Sequence, residues 1–319
     1  ASAGSGEEGL VLSGHTDTVP YDEGRWSHDP FHLTRQDGRL YGLGTSDMKG
    51  FFALVVEAVR DLDLSSLTQP LTIVATADEE SSMLGAKALV TDNRRLGRHA
   101  LIGEPTGLKP IRMHKGIAME TIRLLGRSGH SSDPGLGVNA LEGMQRVMGE
   151  ILNWRAELQQ RHRNPMFKVE VPTLNLGRIQ GGDNPNRICA ECELQIDLRP
   201  LPGMDLAQLR LELAGRLQEL LKGDELRLEM ESSFDGIPAM ETAADAPIIR
   251  VAEELSGEAA ISASFGTEGP YLQQLGMETV ILGPGDIEQA HQPDEYLAMD
   301  RIQPMIGILQ GMVRHFCLA

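Results

Sequence analysis

The chain has 319 residues, of which 41% are hydrophobic and 24% charged. This composition is typical of globular proteins and excludes disordered, collagen-like and coiled-coil chains. Its 29 basic and 46 acidic residues give a formal net charge of −17, which argues against nucleic acid as a partner. No apolar run approaches the ~20 residues of a membrane helix, and residues 1–6 lack the features of a secretory signal. We therefore expect a cytoplasmic protein with no membrane contact.

The first 110 residues alternate between predicted strands and helices. Apolar or branched runs at 10–12, 71–77 and 100–103 predict strands, and apolar residues at helical spacing predict helices over 51–62 and 84–90. Strands that alternate with helices indicate a mainly parallel sheet with helices on both faces.

The middle of the chain follows a different pattern, in which two predicted strands stand next to each other. The order is β-α-β-β-α-β, which predicts an α+β, ferredoxin-like domain. The predicted elements span residues 117–125, 138–160, 173–179, 188–198, 206–221 and 226–231.

The first pattern resumes after the middle region. Asp245 is predicted to cap a helix that ends at residue 255, and a strand at 279–282 precedes a last amphipathic helix over 302–316. We therefore predict an α/β domain formed by residues 1–114 and 231–319, which is interrupted by an inserted domain at 115–230.

Cys189 and Cys192 form a C-x-x-C motif, which occurs in redox sites and in zinc sites. The residues around them alternate between apolar and polar, which predicts a strand with the two sulfurs on opposite faces. We therefore interpret both cysteines as structural.

Several acidic residues and histidines follow the predicted strands or lie in the loops beside them. In a parallel sheet such positions share one edge, where ligands bind. Imidazole and carboxylate groups are ligands of zinc-type ions, and two ions bridged by a carboxylate can activate water and polarise a carbonyl. Taken singly, each residue could be a loop residue, a solvated acid or a helix cap. The candidates are His15, Asp17, Asp47, Glu79, Glu80, Glu104 and His291.

At these residues the chain resembles the dinuclear zinc aminoacylase/peptidase family, which contains acetylornithine deacetylase and succinyl-diaminopimelate desuccinylase. The resemblance covers essentially the whole chain. Its motifs are SGHTDTVP at 13–20, GLGTSDMKG at 42–50, ADEESSMLGA at 77–86, GEPT at 103–106, GHSSDP at 129–134 and AHQPDEY at 290–296.

The resemblance implies two Zn²⁺ ions per subunit, and Co²⁺ would suit the same ligands. It assigns His15 and Glu104 to one ion and Glu80 and His291 to the other, with Asp47 bridging the two. Asp17 would orient His15, and Glu79 would be the general base and then the general acid. The peptide bond after Asp47 would be cis.

The inserted domain matches the lid of the family, which implies a homodimer formed through this domain. His130 matches a lid histidine that reaches the active site of the neighbouring subunit and stabilises the oxyanion. Asn186 and Arg199 match substrate contacts, although Arg199 could also be a surface charge at a strand end. Gly266 and Thr267 match a loop that binds the α-carboxylate of the substrate.

Three segments, at 103–116, 184–203 and 265–296, are most similar to acetylornithine deacetylases. This similarity implies removal of the acetyl group from N2-acetyl-L-ornithine in arginine biosynthesis. The alternatives on the same metal centre are a succinyl-diaminopimelate desuccinylase, an aminoacylase and a dipeptidase. A non-catalytic binding protein should lack the base or a ligand, yet Glu79 and all five implied ligands are present.

Family members ordinarily have several tens of residues before the His-x-Asp strand, whereas this sequence starts close to that motif. We expect that a chain without the segment would have an exposed sheet edge and reduced stability.

Overall fold

A computed structural model describes residues 1–318, which divide into two compact units. The first unit comprises Ala1–Met113, Met240–Ala263 and the chain from Thr267 onward. The second comprises His114–Ala239 and Ser264–Gly266.

The second unit extends beyond the predicted domain end at residue 230, and local contacts explain the difference. Ile237 and Ile117 exchange two backbone hydrogen bonds, each 2.8 Å long. Gly266 packs so closely on Ile117 that a Cβ atom there would lie 3.0 Å from the isoleucine Cδ1 atom.

Residues 1–318 form fifteen strands and seven α-helices, which are labelled in chain order. The strands are β1 (Ser2–Ala3), β2 (Leu10–His15), β3 (Thr34–Gln36), β4 (Arg39–Tyr41), β5 (Leu71–Thr76), β6 (His99–Ile102), β7 (Ile111–His114), β8 (Ala118–Leu125), β9 (Thr173–Gly181), β10 (Glu191–Arg199), β11 (Arg227–Ser232), β12 (Met240–Glu241), β13 (Ile261–Ala263), β14 (Glu278–Ile281) and β15 (Tyr296–Ala298). The helices are α1 (Lys49–Val59), α2 (Leu84–Asp92), α3 (Ala140–Arg161), α4 (Leu206–Leu220), α5 (Pro247–Ser256), α6 (Gly269–Gln274) and α7 (Ile302–Val313).

An eight-stranded sheet forms the centre of the first unit. Its order is β1-β5-β2-β6-β14-β7-β12, and β13 pairs with β7. Strands β5, β2, β6 and β14 are parallel, whereas β1 and β7 pair antiparallel with β5 and β14. The mainly parallel α/β fold predicted from the sequence is therefore confirmed.

Packing of apolar residues between the central sheet and the helices stabilises this unit. Leu10, Val11 and Leu12 of β2 are all completely buried, as expected for a strand covered on both faces. Helices α1, α5 and α7 share one hydrophobic core with Leu10 and Leu12, in which α1 buries Leu54 and Val55. Helices α2 and α6 contact each other as a second group.

The predicted cap of α5 is wrong by one position. The N-cap residue is Ala246, which has no capping side chain, and Pro247 is the first helical residue. Proline already has the backbone φ that a helix needs at its first position. This preference places Asp245 one residue too early to cap the helix.

The second unit has the predicted ferredoxin-like order. Its elements are β8, α3, β9, β10, α4 and β11, and the sheet order β11-β8-β10-β9 is antiparallel throughout. Alternate residues of β8 and β10 are buried, including Ile122 and Leu194. Helix α3 contributes Val147, Ile151 and Trp154 from one face to this core.

A small sheet of β15, β4 and β3 was missed by the sequence analysis, because each strand has only three residues. Tyr296 of β15 pairs with Tyr41 of β4. This pairing places the loop before β15 next to the loop after β4, and these two loops carry His291 and Asp47.

The C-x-x-C motif differs from its prediction in one respect. Cys189 lies before β10 rather than inside it, and its thiol donates to the Glu191 main-chain oxygen across 3.0 Å. Cys189 and Cys192 are both buried free thiols.

Within residues 1–318, none of the helices is both long enough and apolar enough to cross a membrane.

Candidate metal centre

The first unit gathers the candidate ligands at the carboxyl edge of its parallel strands. His15 is the last residue of β2 and is in register with Thr76, the last residue of β5. Glu79 and Glu80 follow β5, and Glu104 follows β6. Asp47 and His291 reach the same place from the loops after β4 and β14.

One group of possible ligands consists of His15, Asp47 and Glu104, all of which are buried. The Nε2 atom of His15 lies 3.1 Å from Asp47 Oδ1 and 3.8 Å from Glu104 Oε1. One imidazole nitrogen and two carboxylates therefore surround a single point, which is a ligand set that zinc accepts.

A second group consists of Asp47, Glu80 and His291. The Nε2 atom of His291 lies 3.1 Å from Glu80 Oε2 and 3.5 Å from Asp47 Oδ2. The two groups share Asp47, whose two carboxylate oxygens face different histidines. The family resemblance implies one ion at each of these two groups.

The surroundings of Asp47 favour its ionised carboxylate form. Burial opposes its ionisation, but hydrogen bonds from His15 and His291 hold its pKa at about 2. The Asp47–Met48 peptide bond is cis, as the family resemblance implies.

The structure also places Glu79 within reach of this centre. Glu79 forms a further possible ligand group with His15 and Glu80. Burial raises the pKa of Glu79 to about 8; His15 opposes this rise, and the nearby Glu80 and Glu268 add to it. A carboxyl with a pKa near neutrality is suited to both accepting and donating a proton.

Asp17 contacts His15, mainly through its backbone. The Nδ1 atom of His15 is 3.0 Å from the Asp17 main-chain oxygen and 3.6 Å from its carboxylate Oδ1. The other carboxylate oxygen, Oδ2, accepts a hydrogen bond from the Glu80 backbone N–H across 3.1 Å. Asp17 therefore connects His15, at the end of β2, with the loop that carries Glu80.

The pKa shifts indicate that protons balance the charge of the carboxylates. Burial opposes the charging of His15, but its hydrogen bond to Asp47 and the nearby Glu104 and Glu79 raise its pKa to about 11. Hydrogen bonds to Asp47 and Glu80 raise the pKa of His291 to about 10. Burial and the neighbouring Asp47 raise the pKa of Glu104 well above its usual range. A cation could replace these protons, so the donor set fits divalent ions.

Two further buried carboxylates near the ligands were missed by the sequence analysis. Glu268 is 1% exposed, its Oε1 atom has no hydrogen-bond partner, and burial raises its pKa to about 7. Glu295 is 3% exposed and accepts backbone hydrogen bonds from the loop that carries Asp47. The sequence contains only one signal for each residue: Glu268 directly follows Thr267, and Glu295 lies inside the AHQPDEY segment.

The second unit carries most of the predicted substrate residues. His130 and Asn186 are exposed neighbours on its surface, since Ser131 N–H donates to the Asn186 main-chain oxygen across 3.0 Å. Arg199 ends β10 and donates from Nε to Asp197 across 2.9 Å. Gly266 also belongs to this unit, whereas Thr267 is buried in the first.

A family model for peptidase family M20/M25/M40 matches residues 11–315. The chain belongs to this family. The family resemblance predicted from the motifs is thus confirmed, and membership of M20/M25/M40 identifies the chain as a hydrolytic enzyme.

Curated relatives support the same assignment within the M20/M25/M40 family. The chain is 51% identical to an acetylornithine deacetylase of Edwardsiella ictaluri over 317 residues, which are 99% of this chain and 82% of that protein. It is 50% identical to an acetylornithine deacetylase of Proteus mirabilis over 319 residues, which are 100% of this chain and 82% of that protein.

Solved structures share the fold at low sequence identity. Aminopeptidase PepT of Bacillus cereus has a TM-score of 0.78 at 18% identity, covering 98% of this chain and 82% of that one. The YXEP protein of Bacillus subtilis, described as a dinuclear metal-binding M20 peptidase, has a TM-score of 0.70 at 13% identity, covering 99% and 84%.

We predict that metal binding at neutral pH releases protons from the centre, including one from each of His15 and His291. Both histidines are protonated at pH 7 because their pKa values are about 11 and about 10, and a nitrogen must lose its proton to bind a metal. The apparent affinity should therefore rise with pH toward 10. Calorimetry in buffers of different ionisation enthalpy measures this release. Binding without proton release would show that the histidines are not ligands.

Proposed function

We propose that the chain removes the acetyl group from N2-acetyl-L-ornithine and releases L-ornithine and acetate. The observation that carries this proposal is the pair of ligand groups that share Asp47, with Glu79 beside them. The choice of substrate is supported by the curated relatives, which are named acetylornithine deacetylase. We further propose that the reaction serves arginine biosynthesis in the cytoplasm.

Two divalent cations would occupy the centre, and Zn²⁺ or Co²⁺ suits its nitrogen and oxygen donors. His15 and Glu104 would hold one ion, Glu80 and His291 the other, and Asp47 would bind both. Such a pair of ions polarises a carbonyl and makes water more acidic.

Glu79 moves the proton in this proposal. Its raised pKa reflects burial and crowding by carboxylates, so positive charge in the centre would lower that pKa and ionise the group. The ionised carboxylate accepts a proton from the attacking water and then delivers it to the nitrogen of the leaving amine. Asp17 keeps Nε2 of His15 turned toward the centre, because it binds the opposite ring nitrogen.

The remaining candidates would recognise the substrate. Gly266 and Thr267 would bind its α-carboxylate, and Asn186 and Arg199 would contact the rest of the molecule. The second unit would act as a lid and form a homodimer. His130 would then reach the active site of the neighbouring subunit and donate a hydrogen bond to the developing oxyanion. Its exposure on the surface of the unit supports this role.

Kinetics with alternative substrates test the proposed function. We expect kcat/KM for N2-acetyl-L-ornithine to exceed that for N-succinyl-L,L-diaminopimelate by about 100-fold or more, since the two extra carboxylates need partners of their own. A chelator should abolish the activity, and Zn²⁺ or Co²⁺ should restore it. A preference for the succinyl substrate, or for dipeptides, would overturn the proposed substrate.

Glu79 and Glu80 are adjacent but should differ when each is replaced. Glu79→Ala should retain both metal ions and lose about 10²–10⁴-fold in kcat, the usual contribution of general acid–base catalysis. Glu80→Ala should lose metal as well, because it removes a ligand of one ion. Metal analysis of the two purified variants distinguishes them. A metal-free Glu79→Ala protein would contradict the assignment.

Mixing two inactive variants tests whether His130 acts across the dimer. Glu79→Ala lacks the base, and His130→Ala lacks the donor that serves the neighbouring site. A mixed dimer has one site with both groups, so random exchange of equal amounts should restore about a quarter of native activity. If no activity returns although subunits exchange, His130 does not act in the neighbouring site.

A further inference from the structure

We propose that Glu295 is a positioning residue of the metal centre, which fixes the backbone of Asp47 relative to the loop that carries His291. This inference rests on the proposed function, because it assumes that Asp47 and His291 bind metal. Glu295 itself is not a ligand in that proposal.

Glu295 accepts three backbone hydrogen bonds from one loop. Its Oε1 atom accepts from the N–H groups of Ser46 at 2.7 Å and Asp47 at 2.9 Å. Its Oε2 atom accepts from Gly44 N–H at 2.8 Å. The main-chain oxygen of Glu295 accepts a fourth bond, from Gly42 N–H at 3.1 Å. The loop between β4 and α1 therefore wraps around one buried carboxylate.

The local backbone explains why these N–H groups converge. Gly44 has a φ of 81°, in the left-handed region that favours glycine. A Cβ atom at Gly44 would lie 2.5 Å from Lys49 Cε.

Burial is the largest influence on the pKa of Glu295 and raises it, while the three N–H donors act in the opposite direction. Hydrogen bonds from N–H groups to a carboxylate are stronger than those to a neutral acceptor.

A second connection fastens the other end of the His291 loop. The Ser46 hydroxyl accepts from Asp286 N–H at 2.9 Å and donates to the Asp286 main-chain oxygen at 3.2 Å. Asp286 precedes His291 and Glu295 follows it, so both ends of this loop are tied to the residues next to Asp47. The two ends together hold His291 Nε2 at 3.5 Å from Asp47 Oδ2.

The loop needs such support because its own backbone is unfavourable. His291 and Asp294 have φ values of 59° and 58°, in the left-handed region that residues other than glycine rarely adopt. Asp294 accepts hydrogen bonds from Ser27 N–H at 2.9 Å and His28 N–H at 3.0 Å. Adjacent acidic side chains thus fix the loop to two different parts of the first unit.

Replacement of Glu295 by glutamine tests the proposal in the full chain. The amide keeps one acceptor oxygen, but its NH₂ group must face at least one of the three N–H donors. We expect Co²⁺ affinity to weaken about tenfold and the visible spectrum of bound Co²⁺ to change. With saturating metal, kcat should fall about tenfold while KM for N2-acetyl-L-ornithine changes less than twofold. The matched control is Glu288→Gln, which removes the same charge from an exposed residue of the same loop and should behave as the native protein.

The measurements are made well below the melting temperature of each variant, so that a purely structural role can be recognised. Such a role would lower the melting temperature but leave the Co²⁺ affinity and spectrum unchanged, which would overturn the proposal. Glu295→Asp keeps two acceptor oxygens on a shorter side chain and should lose less affinity than Glu295→Gln. It provides the answer if the glutamine variant does not fold, since affinity and spectrum equal to those of Glu288→Gln would again refute the proposal. A native protein that binds no Co²⁺ would refute the proposed function and this inference together.

Discussion

Crowding of negative charge at one edge of a parallel sheet is the constraint on which the rest of this structure depends. Asp47, Glu79, Glu80 and Glu104 meet around His15 and His291, and most of these groups are partly or fully buried. Burying like charges together is unfavourable unless protons or cations compensate them. The raised pKa values of both histidines, Glu79 and Glu104 show compensation by protons, which divalent ions would replace.

Two kinds of structure bring these groups together. His15, Glu79 and Glu104 are placed by three adjacent parallel strands, whose positions are fixed by the apolar core. Asp47 and His291 come from loops, and polar contacts fix them instead. The short strands β4 and β15 align the two loops. Gly285 allows the loops to approach closely, since a Cβ atom at this position would lie 2.3 Å from the Ser46 main-chain oxygen. The precise positions of Asp47 and His291 therefore depend on hydrogen bonds.

The sequence predicted those features that depend on local patterns. The buried strands were recognisable because both of their faces are apolar, and helices α1 and α7 because their apolar residues recur at helical spacing. The small β15-β4-β3 sheet was not predictable in this way, since its stability comes from pairing between residues 255 positions apart, Tyr41 and Tyr296. Local patterns also did not predict the burial of Glu268 and Glu295. An acidic residue is normally exposed, and only the folded chain shows that these two are buried.

The distribution of the candidate residues between the two units bears on specificity. All five proposed ligands and Glu79 belong to the first unit, whereas His130, Asn186 and Arg199 belong to the second. An aminopeptidase and a dinuclear metal-binding peptidase share this fold at 13–18% identity, so the fold by itself does not select a substrate. In the proposed function, the first unit would supply the metal ligands and Glu79, and its Thr267 would bind the substrate α-carboxylate. The second unit would supply Asn186 and Arg199 as substrate contacts and His130 as the oxyanion donor, so changes in this unit would affect both selectivity and rate.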